Sequence, residues 1–229
     1  MAGEASSRPG CVQSRHEGLV EALAGDLEPV RPLPSPAARA GLWLGAALLI
    51  GLVLATWSGT GGFMLRMRVP DLALAAVGAV LTAVASAFAA FATSVPGRPA
   101  TWALLPLPPL ALWVGASGLG CLREWVAPGA DIPGVHTVTG CFSFLICVSV
   151  PLSALIVVML RRACPLRPNL TAALGGLAVA AAAAALLMPV HPHDATATDL
   201  TIHAAAVAII IGLNGMAGGR LLSRRAGIG

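Results

Sequence analysis

Lysine and tyrosine are absent from this 229-residue chain, and only 10% of its residues are charged. A soluble globular domain places charge on about a quarter of its positions, so the composition excludes an ordinary cytosolic enzyme. All the positive charge comes from 14 arginines, set against 10 acids for a net of +4. These arginines are scattered between apolar runs and are not gathered on one soluble stretch, which excludes a direct nucleic-acid binder. Motifs are equally sparse. No two of the five cysteines form a C-x-x-C pair, so neither a thioredoxin-like redox motif nor a zinc ribbon is written locally. No H-E-x-x-H, Walker loop, G-x-S-x-G or pair of intramembrane carboxylates occurs. Hydrolysis, nucleotide use and proton pumping are therefore left without apparatus.

What is present is apolar: 57% of the residues are hydrophobic and the mean hydropathy is +0.83. A bilayer core about 30 Å thick needs roughly 20 apolar residues per helix. Six runs meet that length, at 40–65, 72–95, 99–122, 137–160, 170–190 and 200–219. The predicted fold is all-α, an integral membrane bundle of six transmembrane helices with a short cytoplasmic N-terminal amphipathic segment. Residues 1–39 form the tail, 40–221 the bundle and 222–229 a cytoplasmic C-terminal tail. Small residues mark expected packing faces at Gly41 with Gly45, Gly215 with Gly219, and Ala180 to Ala185. Pro106, Pro108, Pro109 and Pro151 are expected to kink or loosen their helices.

Orientation follows from the arginines. With the N-terminus inside, eleven of the 14 face the cytoplasm, and only Arg66, Arg68 and Arg123 lie outside. Both termini are thus expected in the cytoplasm. The first 39 residues carry five acids and no apolar core, so they read as a tail and not as a signal peptide. Abundant alanine, glycine and proline point to a GC-rich bacterial genome.

In the tail, Ser14 followed by Glu17 forms a capping-box signature just ahead of Leu19, Val20, Leu23 and Leu27. A short amphipathic helix is expected to start there and to stop at Pro29. Pro32, Pro34 and Pro36 then make a stiff connection to the first span. So short a helix is marginal alone in water, and its apolar stripe needs a surface: lipid, the protein's own inner loops, or a soluble partner. Glu17, Glu21, Asp26 and Glu28 outnumber Arg15, and an anionic leaflet repels them. A partner with an apolar groove and a basic rim fits the stripe better.

At the outer face the topology gathers Cys121, Cys141, His136, His191, His193, Asp194, Asp199 and His203. Thiolate and imidazole together suit soft or borderline metals and oxidants. Cys141, His191 and His193 are the candidate metal ligands, and Cys141, His191, Cys121 and His193 the candidate sensing residues. Single histidines at such a boundary commonly cap helices or bond carboxylates, and the Asp199 and His203 pair fits that plainer role. Cys147 reads as a small core residue. No resident cofactor is expected beyond a transient soft or borderline metal ion.

The segments LVEALAGDLEPVRPLP at 19–34, LGCL at 119–122, TGCFSFLICVSVP at 139–151, RRACPLRP at 161–168 and HPHD at 191–194 resemble the NrsF family of bacterial membrane anti-sigma factors. The resemblance runs from about Leu19 to Arg225. It implies a non-enzymatic, six-helix inner-membrane protein that holds an extracytoplasmic-function (ECF) sigma factor of the F type inactive and releases it on metal or oxidative stress. The implied partners are that sigma factor and the lipid bilayer. The family's outer-face cysteine maps onto Cys141. Its second functional cysteine falls on His191, so a disulfide between those two sites is impossible here. On the arm, Leu19, Val20, Leu23 and Leu27 become the expected sigma-binding residues. Two readings from other classes stand beside this one: a metal or small-solute transporter, and a membrane thiol or haem oxidoreductase. The first would rely on mid-membrane Asn214, Ser143 and Ser149, and the second on His203.

Overall fold

The computed structural model describes residues 9–25, 32–58, 64, 67–126, 135–163, 165–189 and 197–223. They form two units, Met1–Leu33 and Pro34–Gly229. Among the described residues there are helices and turns and no strand. The first unit contains α1 (Pro9–Gly25). The second contains α2 (Pro36–Ser58), α3 (Pro70–Thr93), a 3-10 helix (Ala100–Leu104), α4 (Leu107–Val126), α5 (Val135–Arg161), α6 (Pro168–Leu187) and α7 (Ala197–Ser223).

Each long helix falls on one of the six apolar runs. Five candidate membrane spans, 19 to 24 residues each, are long and apolar enough to cross a bilayer: Pro36–Thr56, Pro70–Thr93, Ala100–Gly120, Ser143–Arg161 and Pro168–Leu187. The sixth run lies in α7, whose described apolar stretch is Ala204–Met216. Proline sets several starts, because it lacks the N–H that a first turn leaves unpaired anyway. Pro70 and Pro168 open α3 and α6 in this way. At α2 the Ser35 hydroxyl accepts from Ala38 N–H at 3.2 Å, an N-cap placed just before Pro36. The third run divides into the 3-10 helix and α4 around Pro106, Pro108 and Pro109, as those prolines lead one to expect. Pro151, by contrast, sits inside an uninterrupted α5.

The centre of the second unit is α6, with 67% of its apolar window buried against less than half for the other spans. It packs most extensively on α7 and α3, then on α5, while α2 bridges α3 and α5 and α4 lies against α3. Ala180 to Ala184 are all buried, so alanine at every turn lets α6 be surrounded without pushing its neighbours away. Around it, Trp43, Phe91, Leu145, Leu152, Ile156, Leu160 and Val179 form the bulky core. The outer surface is the reverse of a soluble protein's: Leu42, Leu49 and Val53 on α2 and Val77 and Leu81 on α3 all point outward. Such an apolar perimeter is a lipid-facing pattern.

The closest helix approaches occur at glycines other than the expected ones. A Cβ on Gly176 would stand 2.9 Å from Ile211 Cα and 3.0 Å from Asn214 Cβ, and one on Gly78 would stand 2.7 Å from both Trp113 Cα and N. Gly41, Gly45 and Gly215 have open space where a Cβ would be, and Gly41 and Gly45 are exposed, so these positions pack against nothing among the described residues. The side chain of Gly219's position lies outside the described set. Cys147 is a further correction: it is exposed on the outward side of α5, a position an apolar surrounding tolerates because a thiol behaves as a small hydrophobe.

Polar side chains join the helices inside this apolar frame. The Asn214 amide donates to Ser153 Oγ at 3.1 Å and to Ile210 O at 2.8 Å, linking α7 to α5. The Trp43 indole donates to Leu152 O at 3.1 Å, linking α2 to α5. Thr93 and Thr171 share a hydrogen bond at 3.3 Å between α3 and α6. Arg39, only 5% exposed, donates from one guanidinium nitrogen to Met159 O and from the other to Ser94 Oγ at 3.4 Å. Its guanidinium carbon also lies 4.8 Å from the centre of the Phe91 ring.

Replacing Gly176 by leucine should force α6 and α7 apart and lower stability by about 1–3 kcal/mol, read as a lower melting temperature in detergent. Gly45→Leu, into open space, should leave the melting temperature unchanged. Arg39→Met should remove the charged donor shared by two helix ends and lower stability by about 1.5–3 kcal/mol in the same measurement.

Candidate functional site

The contacts above fix the helix directions. Arg39, at the start of α2, meets the ends of α3 and α5, and the end of α3 meets the start of α6 through Thr93 and Thr171. One end of the bundle therefore holds the start of α2, the ends of α3 and α5 and the start of α6. At the opposite end Asp71, in the first turn of α3, puts its Oδ2 3.0 Å from where a Cβ on Gly120 would stand. This brings the start of α3 against the end of α4. The last turns of α4, with Cys121, and the first turns of α5, with His136 and Cys141, thus belong to the end away from Arg39.

Of the sensing candidates, Cys121 and Cys141 fall on that second end as far as the backbone goes. Cys121 lies within α4 and Cys141 seven residues into α5. The side chains of both lie outside the described residues, as do His191, His193 and Asp194 altogether. Asp199 and His203 lie in the first turns of α7, and the side chain of His203 is again outside the description. Among the described residues no group of three His, Cys, Asp or Glu is placed to hold a metal ion. What sequence reading missed is the approach of Asp71 to the end of α4: its carboxylate reaches the backbone one residue before Cys121. Its only sequence signal is its place behind Pro70, where an acid complements a helix N-terminus.

On the arm, α1 begins at Pro9, five residues before the expected start, so Ser14 lies inside the helix and does not cap it. Leu19, Val20 and Leu23 stand on this helix and are 58%, 66% and 62% exposed. Glu17 and Glu21 are exposed beside them. Leu27 lies outside the described residues. An exposed stripe of three large apolar side chains next to two carboxylates can enter an apolar groove with a basic rim.

The mid-membrane polar groups of a transporter do not assemble. Asn214 is engaged with Ser153 and its own helix, Ser143 is exposed, and Ser149 is buried with no hydrogen bond from its hydroxyl among the described residues.

No curated protein and no solved structure matches the chain. A family model does: NrsF, negative regulator of sigma F, over residues 23–224. The match takes in every helix of the bundle and begins at Leu23, on the exposed stripe of α1. The family is a regulatory one whose partner is a sigma factor, and the five long apolar helices are those of a membrane protein. With nearly the whole chain covered, this protein belongs to the NrsF family of negative regulators of sigma F.

Proposed function

We propose that this chain is an inner-membrane anti-sigma factor that crosses the bilayer six times with both termini in the cytoplasm. It holds an ECF sigma factor of the F type through its N-terminal arm and releases it when thiol or soft-metal chemistry acts at the outer face. The observation that carries this reading is the exposed stripe of Leu19, Val20 and Leu23 on a helix belonging to a unit of its own. The core cluster of the second unit is built, among the described residues, from other side chains. Leu27 extends it on the sequence pattern, and Glu17 and Glu21 set the charge that the partner's rim must answer. The arginine-rich inner loop, with Arg161 and Arg162, is a second surface for the same partner.

The route from the outer face to the arm runs along α5. Cys141 lies in its outer turns and Met159 in its last, 18 residues or about 27 Å apart at the helical rise. The helix is uninterrupted, so a change of packing at Cys141 moves Met159, the acceptor of Arg39. Arg39 in turn lies in the first turn of α2, directly after the proline-rich connection to the arm. Pro151 gives this lever a soft point: its missing N–H leaves the Cys147 carbonyl without an intrahelical donor. The signal works only if the outer-face ligand or oxidant favours one packing of α5 over another. Cys141, His191 and His193 are the groups that would take a soft or borderline metal, with Cys121 as the alternative thiol partner. No 141 to 191 disulfide is available to this chain.

Leu23→Asp should weaken sigma retention in a membrane pull-down by about 10- to 100-fold, the equivalent of losing one buried leucine. Retention equal to wild type removes the arm from the mechanism. Cys141→Ser should leave basal retention intact and abolish induced release, measured with a sigma-dependent reporter under oxidant or soft-metal challenge. A wild-type induction curve in that variant would assign sensing elsewhere.

A further inference from the structure

At the Arg39 end of the bundle, the loop after α3 and the loop before α6 enclose a depression of about 310 Å³ lined by Thr93, Val95, Gly97, Arg98, Leu166 and Arg167. Its shape is encoded locally. Val95, Pro96, Gly97 and Arg98 make a tight turn closed by Arg98 N–H on Val95 O at 3.4 Å, with Gly97 at φ 83°. Proline followed by a positive-φ glycine is the signature of a type II turn. The turn delivers Arg98 to the rim, where its guanidinium lies 5.8 Å from the centre of the Trp102 ring, close enough for a cation–π contact. Across the depression, Arg167 directly precedes α6, so the positive end of that helix dipole adds to its charge.

Nothing in either loop neutralises this charge. The sequence contains no acid between Asp71 and Glu124, and none between Asp131 and Asp194. Both arginines are exposed at their rims and free to turn toward a shared anion. The surroundings are apolar: Leu166 is 76% exposed on the rim, and Leu104 and Leu105 are exposed just beyond Trp102. A free inorganic anion has no use for such a shoulder. A lipid does, since its acyl chains lie along the apolar flank while its phosphate sits between the cations. Tryptophan beside arginine at the end of a spanning helix is also a headgroup-level pairing.

We infer that this depression binds the phosphate of an anionic phospholipid, clamped between Arg98 and Arg167. The inference rests on the bundle lying in a bilayer and is independent of sigma retention by the arm. Basic pockets between spanning helices on the cytoplasmic side are suited to such headgroups.

The test uses the full-length chain extracted in mild detergent, titrated with phosphatidylglycerol and with phosphatidylcholine, and read by native mass spectrometry. Wild type should retain phosphatidylglycerol in preference to phosphatidylcholine. Arg98→Gln and Arg167→Gln should each weaken retention about fivefold, and the double variant roughly thirtyfold. Arg162→Gln, an exposed arginine outside the depression, should match wild type. Equal melting curves for all variants show that the change is local, and sedimentation of each with membranes separates failure of this site from failure of the membrane placement. Undiminished phosphatidylglycerol retention in the double variant overturns the proposal. So does equal retention of the two lipids, or tight binding of inorganic phosphate alone with the same arginine dependence. If the double variant loses sigma factor and keeps the lipid, the arginines belong to the protein partner and the lipid assignment falls.

Discussion

The guanidinium of Arg39 organises one whole end of the bundle. Burying a cation costs several kcal/mol unless it is well answered, and here the answers come from helix ends. Ala163 N–H turns to Leu160 O at 3.0 Å, which deprives the Met159 carbonyl of its intrahelical donor, and Arg39 takes that place. In the same way the Ser94 hydroxyl donates to Phe91 O at 2.7 Å while accepting from Arg39. The ends of α3 and α5, each carrying the negative pole of a helix dipole, thus converge on one positive charge. Arg39's own place in the first turn of α2 opposes it, since a cation is disfavoured near a helix N-terminus. Two C-terminal poles, two hydrogen bonds and the face of Phe91 outweigh that single unfavourable pole.

This constraint explains why the remaining helices can be so plain. With α2, α3 and α5 joined at one end, the interior needs only a thin helix to fill the space between them, and α6 supplies it with alanine and glycine. Close packing of backbones takes the place of a hydrophobic driving force that lipid cannot provide. The polar links between Asn214 and Ser153, and between Trp43 and Leu152, add direction to that packing. Both of these links reach α5 next to Pro151. Among the described residues, the inter-helix hydrogen bonds of Arg39, Trp43 and Asn214 all reach α5, which is also the helix with a proline inside it.

The places of the long apolar helices among the described residues were legible in the sequence because apolar run length is a one-dimensional property. Which face of each helix packs is not. Gly41 with Gly45 has the same spacing as a true packing pair, yet faces outward, while Gly176 and Gly78 carry the close contacts from unremarkable surroundings. Cys147 misled for the same reason, since its neighbours on α5 are apolar whichever way they point. The capping-box pattern at Ser14 does not mark a helix start, because Ser14 lies inside α1 and a continuing helix absorbs serine with little penalty. At the candidate site, the stripe of Leu19, Val20 and Leu23 was readable from helical spacing alone. The neighbour Asp71 was not, because it stands about fifty residues before Cys121 and is brought near it by the fold.

Arginine carries two kinds of information in this chain, and the structure separates them. Counted as topology markers, all eleven arginines assigned to the inner side are equivalent. In the folded bundle they differ: Arg39 is buried among helix ends, Arg98 and Arg167 flank the loop depression, and Arg162 stands free in solvent. A buried arginine is a weaker marker of sidedness than an exposed one, because protein contacts and not the cytoplasm hold it in place. With Arg39 set aside, the arginine count between the two sides is still ten against three. The same end then brings together the start of α2, the basic depression and the last turn of α5. Arg39 thereby ties the last turn of α5 to the first turn of α2, the helix that follows the proline-rich connection.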